Sequence, residues 1–190
     1  TSGETLAFSG SGTVSSANVQ NNQSITLGSI AIADGSGGGL ASNYNLTTGT
    51  FDISQKWVSV GGQKIYDATT TVSSSDLEVT GEVTGESISI TGTGSVTDKN
   101  VGSGKTIDIS GLSLSDGSHS ASNYTIGTTS FAITPRNLTI SGEKVYDGTG
   151  TVLASQIDTV NTAGGETLTI SGEGSVSLPS VGTNKSITLN

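Results

Sequence analysis

Two lysines stand three residues before an aspartate in the same short phrase, Lys64-Ile65-Tyr66-Asp67 and Lys144-Val145-Tyr146-Asp147. An amine close to a carboxyl group, with a second acid to move the proton, has the composition of an internal isopeptide cross-link. Glu86 and Glu166 recur at the same spacing and could supply that acid. The simpler reading is an exposed lysine beside a turn aspartate, whose carboxylate bonds backbone N–H groups two residues on. Calcium is a second chemistry to weigh, because Asp34-Gly35 and Asp116-Gly117 recur in loops with Asn and Ser nearby. Neither loop has the ligand spacing of a calcium loop, so a hairpin turn is favoured over a metal site and no cofactor is expected. Trp57, the lone tryptophan, is the ligand-binding candidate, as a flat platform for a sugar. Packing between neighbouring copies competes with that role and is favoured. Catalysis has little to draw on. His119 is the only histidine, there is no cysteine, and no serine sits beside a second base in a nucleophile turn. No enzyme is expected.

The elements that position these residues are repeated. Gly62–Val72 and Gly142–Val152 are the same phrase at an offset of 80, and the match runs on without a gap through Glu86/Glu166, Val101/Val181 and Lys105/Lys185. The N-terminal stretch joins at an offset of 82, with Gly3-Glu4-Thr5-Leu6 against Gly85-Glu86-Ser87-Ile88. The offset returns to 80 at Ala41-Ser42-Asn43-Tyr44 against Ala121-Ser122-Asn123-Tyr124, after two extra residues in a glycine run. Insertions of that kind fall in surface loops. The chain therefore divides into a partial copy over 1–56, a complete copy over 57–136 and a second partial copy over 137–190.

Apolar and polar residues alternate within each copy, as in Ser87–Ile90, Thr106–Ile109, Leu112–Leu114 and Phe131–Ile133, and again in Thr167–Ile170 and Ser186–Leu189. Period two marks strands half buried in a sheet, and Gly, Asn, Asp and Ser clusters punctuate them at sandwich spacing. Ser73–Leu77 and Ser155–Ile157 are each good for one helical turn. The fold class expected is all-β, as tandem small antiparallel Ig-like β-sandwiches of about 80 residues with seven or eight short strands each. Short junctions at Ile53–Val58 and Ile133–Leu138 predict an elongated rod. In a chain with only 4% aromatic residues, Tyr66 and Tyr146 are expected to be buried core rings beside a turn. Ile88, Ile90, Ile107, Ile109, Leu168, Ile170, Ile187 and Leu189 are expected to line the same cores.

"KVYDGT", "ASNY" and "FAITP" together resemble the YDG repeats, and more distantly the MBG repeats, of large bacterial surface exoproteins of the filamentous-haemagglutinin-like adhesin kind. The motif residues are Lys64, Tyr66 and Asp67, Lys144, Tyr146 and Asp147, Asn43 and Tyr44, and Asn123 and Tyr124. Ala68 stands where Gly148 completes the motif, which implies that the position does not require a positive φ. The resemblance implies a repetitive stalk on a secreted or surface-anchored protein, with no enzymatic activity and no defined ligand. The partners it implies are neighbouring repeats and, through a longer protein, an extracellular glycan or a host or matrix surface.

Composition narrows the classes further. The formal net charge of −9 disfavours nucleic acid and anionic membrane surfaces, both of which need a basic footprint. No apolar run reaches the length of a membrane span. The absence of cysteine suits a protein exported unfolded. The function expected is a structural stalk that projects a binding region from a cell surface. The alternative is a weak glycan- or matrix-binding module that gains by multivalency; such an array should repeat an exposed aromatic, and Trp57 has Asn137 as its counterpart.

Overall fold

The structure, a computed structural model, describes residues 3–189. Thr1, Ser2 and Asn190, the outermost residues of the partial copies, lie outside the described residues. Most of the alternating sequences become short strands. The first copy holds β1 (Leu6–Ser9), β2 (Thr13–Val14), β3 (Gln20–Thr26), β4 (Ala31–Asp34) and β5 (Thr50–Ile53). The complete copy holds β6 (Lys56–Ile65), β7 (Thr71–Ser73), β8 (Leu77–Thr80), β9 (Ile88–Val96), β10 (Gly102–Lys105), β11 (Ile107–Asp108), β12 (Leu112–Asp116) and β13 (Tyr124–Thr134). The last copy holds β14 (Thr139–Gly142), β15 (Thr151–Leu153), β16 (Ile157–Val160), β17 (Glu173–Val176) and β18 (Ile187–Leu189). Single 3-10 turns fall at Ser74–Asp76 and Ala154–Gln156, where one helical turn is expected, and also at Ala41–Asn43 and Ala121–Asn123. Asp76 and Gln156 each accept the N–H of the residue before their turn, which satisfies an otherwise orphan donor.

The protein is all-β, with several small antiparallel sheets. One sheet of the complete copy runs β10-β13-β6-β8, and β9 is shared by β7, β11 and β12 in the other. β12 pairs with the first half of β9, and β7 and β11 pair with its second half. β6 and β13 run in the same direction. Ser59 Oγ meets Thr128 Oγ1 at 2.7 Å and the Tyr66 N–H donates to Thr134 O at 2.9 Å, so residue numbers rise together along both strands. Val58, Ile88 and Tyr124 form a buried cluster with Val79, Leu114 and Ala121 packed on it, and these residues come from both sheets. Among the partial copies the surviving strands keep these pairings: β1 with β4, β2-β3-β5, β14 with β16, and β15-β17-β18.

By contact, the chain forms two compact units, and each is discontinuous in sequence. One consists of Thr1–Gly61, Glu78–Gly92 and Leu112–Thr129, the other of Gly62–Leu77, Thr93–Gly111 and Ser130–Asn190. The first takes its core from the cluster just described. The second holds Val72, Val96, Ile107, Phe131 and Ile133, all at most 4% exposed.

Four expectations are corrected. The YDG tyrosines are not core rings: Tyr66 is half-buried and Tyr146 is 62% exposed, whereas Tyr124 of the "ASNY" phrase is the buried one, at 3%. Ile88 and Ile107 are buried, but Leu168 and Leu189 are exposed and Ile90, Ile109, Ile170 and Ile187 are half-buried. Thr167–Ile170 forms no strand. Its counterpart in β9 is held by β12, and no equivalent of β12 stands beside it among the described residues. Finally, Ala68 does adopt a positive φ of 66°, as Gly148 does at 79°. The turn demands the left-handed region at both sites, and Ala68 accepts the strain of its Cβ.

Two stability predictions follow from these placements. Replacing Ala68 by Gly relieves about 1–2 kcal/mol of left-handed strain against an unfolded-state entropy loss of about 0.4–1 kcal/mol. Ala68→Gly should therefore raise the urea midpoint at unchanged slope, and a lowered midpoint would contradict the strain. Tyr124→Ala should cost about 3–5 kcal/mol, the range for a large buried ring, whereas Tyr146→Ala should stay within about 0.5 kcal/mol in the same urea titrations.

Candidate functional site

The strongest local arrangement is built around the motif lysine. β6 ends at Ile65, and the chain must turn within a few residues to start β7 at Thr71. Asp67 begins that turn: its Oδ1 accepts both the Thr69 N–H and the Thr69 hydroxyl, each at 2.9 Å. Lys64 folds over the turn and donates to Asp67 Oδ2 at 3.1 Å, to Thr69 O and Oγ1 at 3.0 Å, and to Thr71 O at 2.6 Å. Its side chain is only 7% exposed. The ammonium is thus buried in a cage of oxygens, a condition that makes a buried cation tolerable.

The last copy repeats the cage atom for atom. Lys144 donates to Asp147 Oδ1 at 2.9 Å, Thr149 O at 3.0 Å, Thr149 Oγ1 at 3.2 Å and Thr151 O at 2.6 Å. Asp147 accepts the Thr149 N–H and hydroxyl at 2.9 Å. The bond from Lys144, then those from Thr149, hold the Asp147 carboxyl down at about 2. Burial alone would raise Asp67, but the bonds from Lys64 and Thr69 outweigh it and leave that carboxyl lowered as well. The exposed lysine expected from sequence is therefore a buried one. The isopeptide grouping is not assembled, because Glu86 and Glu166 are engaged elsewhere.

Both glutamates serve tyrosines. Tyr124 donates its hydroxyl to Glu86 in a short bond and accepts the Val83 N–H at 3.2 Å. The bond to Glu86, then burial, raises the Tyr124 hydroxyl. In the first copy Tyr44 reaches the equivalent Glu4 at 3.5 Å. Glu166 takes its bond from a different tyrosine, Tyr66 of the preceding copy, at 2.6 Å, and also from Lys99 at 2.5 Å. The Lys99 ammonium lies 5.9 Å from the centre of the Tyr66 ring, within cation–π range. Lys99 and then Tyr66 lower the Glu166 carboxyl, and Glu166 raises both Lys99 and Tyr66.

Asn123 joins copies in the other unit. Its Oδ1 accepts the Val19 N–H and its Nδ2 donates to Asn18 Oδ1, both at 2.9 Å. Asn43, its counterpart, lies in the 3-10 turn Ala41–Asn43. The repeated Gly-Glu phrase was visible in the sequence as a repeat, but its tyrosine partners are far along the chain, so no short-range signal pointed to them.

The remaining candidates have structural partners. Asp34 and Asp116 each accept a backbone N–H at 2.7 Å, from Ala41 and Ala121 respectively. Each carboxylate thereby pins its 3-10 turn, and among the described residues no three His, Asp or Glu side chains converge on a metal site. Trp57 is 73% exposed, and its ring lies over Gly127, where an added Cβ would come within 3.1 Å of Cε3. The packing expected between copies is thus corrected: the ring's neighbour is a bare stretch of the adjacent strand of its own copy. His119 pairs its Nδ1 with Ser118 Oγ at 3.0 Å and lies 3.9 Å from Glu86.

The last copy also contains a groove of about 1020 Å³. Leu138, Ile140, Val152, Val176 and Ile187 line its apolar part, and Lys144 and Tyr146 are also in its lining. No helix among the described residues is long and apolar enough to cross a membrane.

A family model described as YDG domain matches residues 55–131 and again residues 134–190. No curated protein and no solved structure matches the chain.

The depressed carboxyl of Asp147 fixes a pH dependence. A carboxyl lowered on folding stabilises the fold above its unfolded value, and that stability is lost as pH falls through the folded value. The contribution of this cage should therefore be intact above about pH 4 and gone near pH 2. Carboxyl-detected NMR should place the Asp147 midpoint near 2, and Lys144→Met should raise it part of the way toward the ordinary aspartate range, the two Thr149 bonds still holding it below. An unchanged midpoint in that variant would show that Lys144 does not control the turn.

Proposed function

The chain belongs to the YDG domain family, and from that premise we propose that it is a stretch of structural stalk in a bacterial cell-surface adhesin. Its work is mechanical: successive copies pack as Ig-like sandwiches into an extended rod that projects a binding region, outside the cell and without a cofactor. The observation that carries this reading is where the signature residues are used. Lys64, Asp67, Lys144 and Asp147 close turns, while Tyr66 and Asn123 bond residues of the adjacent copy. None of the six is free to receive a ligand. The same-direction pairing of β6 and β13 supports the reading too, because the chain enters that pair at one end and leaves at the other. Lone His119, on an exposed loop, supports a non-catalytic role.

Trp57 favours the second reading, a glycan- or matrix-binding module. Its ring is 73% exposed, and an exposed indole face is a common platform for sugars and cations. Yet it occurs once, and an array that gains by multivalency needs the platform in each copy.

A glycan-array screen separates the two. The stalk reading expects no sugar retained above background. Retention that disappears in Trp57→Ala would replace the stalk by the binding module. Small-angle scattering addresses the rod: a compact 190-residue domain has a radius of gyration of about 16 Å, and the stalk requires a clearly larger value.

A further inference from the structure

Tension carried along a row of copies enters each copy through its first strand and leaves through its last. In the complete copy these are β6 and β13, its two longest strands. They stand side by side at the centre of their sheet, with β8 beyond one and β10 beyond the other. Their contacts keep nearly one register. Ser59 and Thr128 meet across 69 residues of chain, and the Thr134 hydroxyl donates to Lys64 O across 70. Because both strands point the same way, the chain enters the pair at one end and leaves at the other. Tension therefore pulls β6 back and β13 forward, along the strands and across the hydrogen bonds between them. Bonds loaded in this way share the force and fail together. An antiparallel pair, with entry and exit at one end, would open one bond at a time.

Two features hold the pair against sliding. Val58 and Val60 on β6, and Phe131 and Ile133 on β13, are each at most 2% exposed. A slip of one residue would reverse the face that a strand's side chains present and turn its buried pair out of the core. The second feature is the YDG turn at the far end of β6. The Tyr66 N–H still donates to Thr134 O at 2.9 Å after β6 has ended. Lys64, the last residue but one of β6, holds Thr69 O at 3.0 Å and Thr71 O at 2.6 Å. Thr71 opens β7, which pairs with β9 in the other sheet. The ammonium thus ties the loaded strand to that sheet, and drawing β6 out backward must pull a buried cation away from its oxygens.

We infer that β6 and β13 form a mechanical clamp that resists tension along the chain, and that the YDG turn is its anchor. The source of the load rests on the stalk reading, whereas the resistance belongs to the strand geometry alone. The signature motif then does more than close a turn: it fixes the trailing end of the strand that tension would extract. Forced unfolding is governed by the unfolding rate, so the clamp acts on lifetime under load, and that lifetime depends on the direction of pull.

The chain contains no cysteine, so introduced pairs set the direction of pull on the intact chain. Lys56→Cys with Asn137→Cys loads the start of β6 against the end of β13. Lys56→Cys with Ser122→Cys loads the starts of both strands, which lie close together: Gln55 Nε2 donates to the Ser122 and Tyr124 carbonyls, both at 3.1 Å. All three positions are exposed, and equal urea midpoints check that the two variants fold alike. Held at the same force in an optical trap, the first pair should outlast the second by at least about tenfold. Adding Lys64→Met should shrink that ratio, because the cage lies at the far end of the pull that peels the strands. Equal lifetimes in the two directions would overturn the clamp and leave the stalk reading to the scattering and the glycan array. A ratio that Lys64→Met leaves unchanged would overturn the turn's part as anchor.

Discussion

A lysine ammonium taken out of water has to find oxygen, and the YDG turn is the shape that this requirement imposes. Lys64 lies almost fully inside the protein, where an unpaired cation would be strongly unfavourable. Its oxygens are two backbone carbonyls, of Thr69 in the turn and Thr71 at the start of the next strand, with one carboxylate and one hydroxyl. Meeting them draws the chain back tightly after β6. The tightness forces residue 68 into the left-handed region, which glycine accepts at Gly148 and alanine endures at Ala68. The Lys, the Asp, the small residue and the Thr are therefore one device. The tyrosine is the member that the cage does not use.

That freedom explains the tyrosine's two environments. The turn holds its backbone and directs the ring away from the ammonium, toward whatever the next copy presents. Tyr66 meets Glu166 and Lys99 and is half-covered. Tyr146 has no such partner among the described residues and stands in solvent. The glutamate is equally adaptable, since Glu4, Glu86 and Glu166 each accept a tyrosine hydroxyl, two from within the copy and one from the copy before. A phenol–carboxylate bond that is charge-assisted on the acceptor side is among the stronger hydrogen bonds available to a chain with few apolar side chains.

Much of this was legible in the sequence, and the failures have physical causes. The offset of 80, the alternation and the single helical turns are local signals, and apart from Thr167–Ile170 the strands and 3-10 turns stand where they point. Asp67 and Asp147 as turn residues were legible for the same reason. The burial of the tyrosines was not. Tyr66 and Tyr124 are equally apolar and equally repeated, and only the long-range contacts of their strands decide that Tyr124 enters the core. The lysine misled because charge predicts exposure, and half of its cage is drawn from backbone oxygens that every sequence possesses. Ala68 misled in the opposite sense, since an alanine in place of glycine reads as relaxed geometry when the turn has kept its demand and merely tolerates the strain.

Burial in this chain belongs to pairs of strands more than to residues. Phe51 and Phe131 have matching surroundings in sequence, yet one is half exposed and the other closed off. The difference is the strand beside them, because Phe131 has β6 along its edge and Phe51 has no equivalent among the described residues. Val58 and Leu138 differ in the same way, as do Ile88 in a paired β9 and Leu168 in a segment that forms no strand. With 31% hydrophobic residues, a copy has few side chains to spare, and each sheet face is covered only when its full set of strands is in place. Removing one strand from such a copy uncovers apolar surface on two others. A repeat built this way holds its structure by keeping neighbours, which is a constraint on how such segments are cut, joined and displayed.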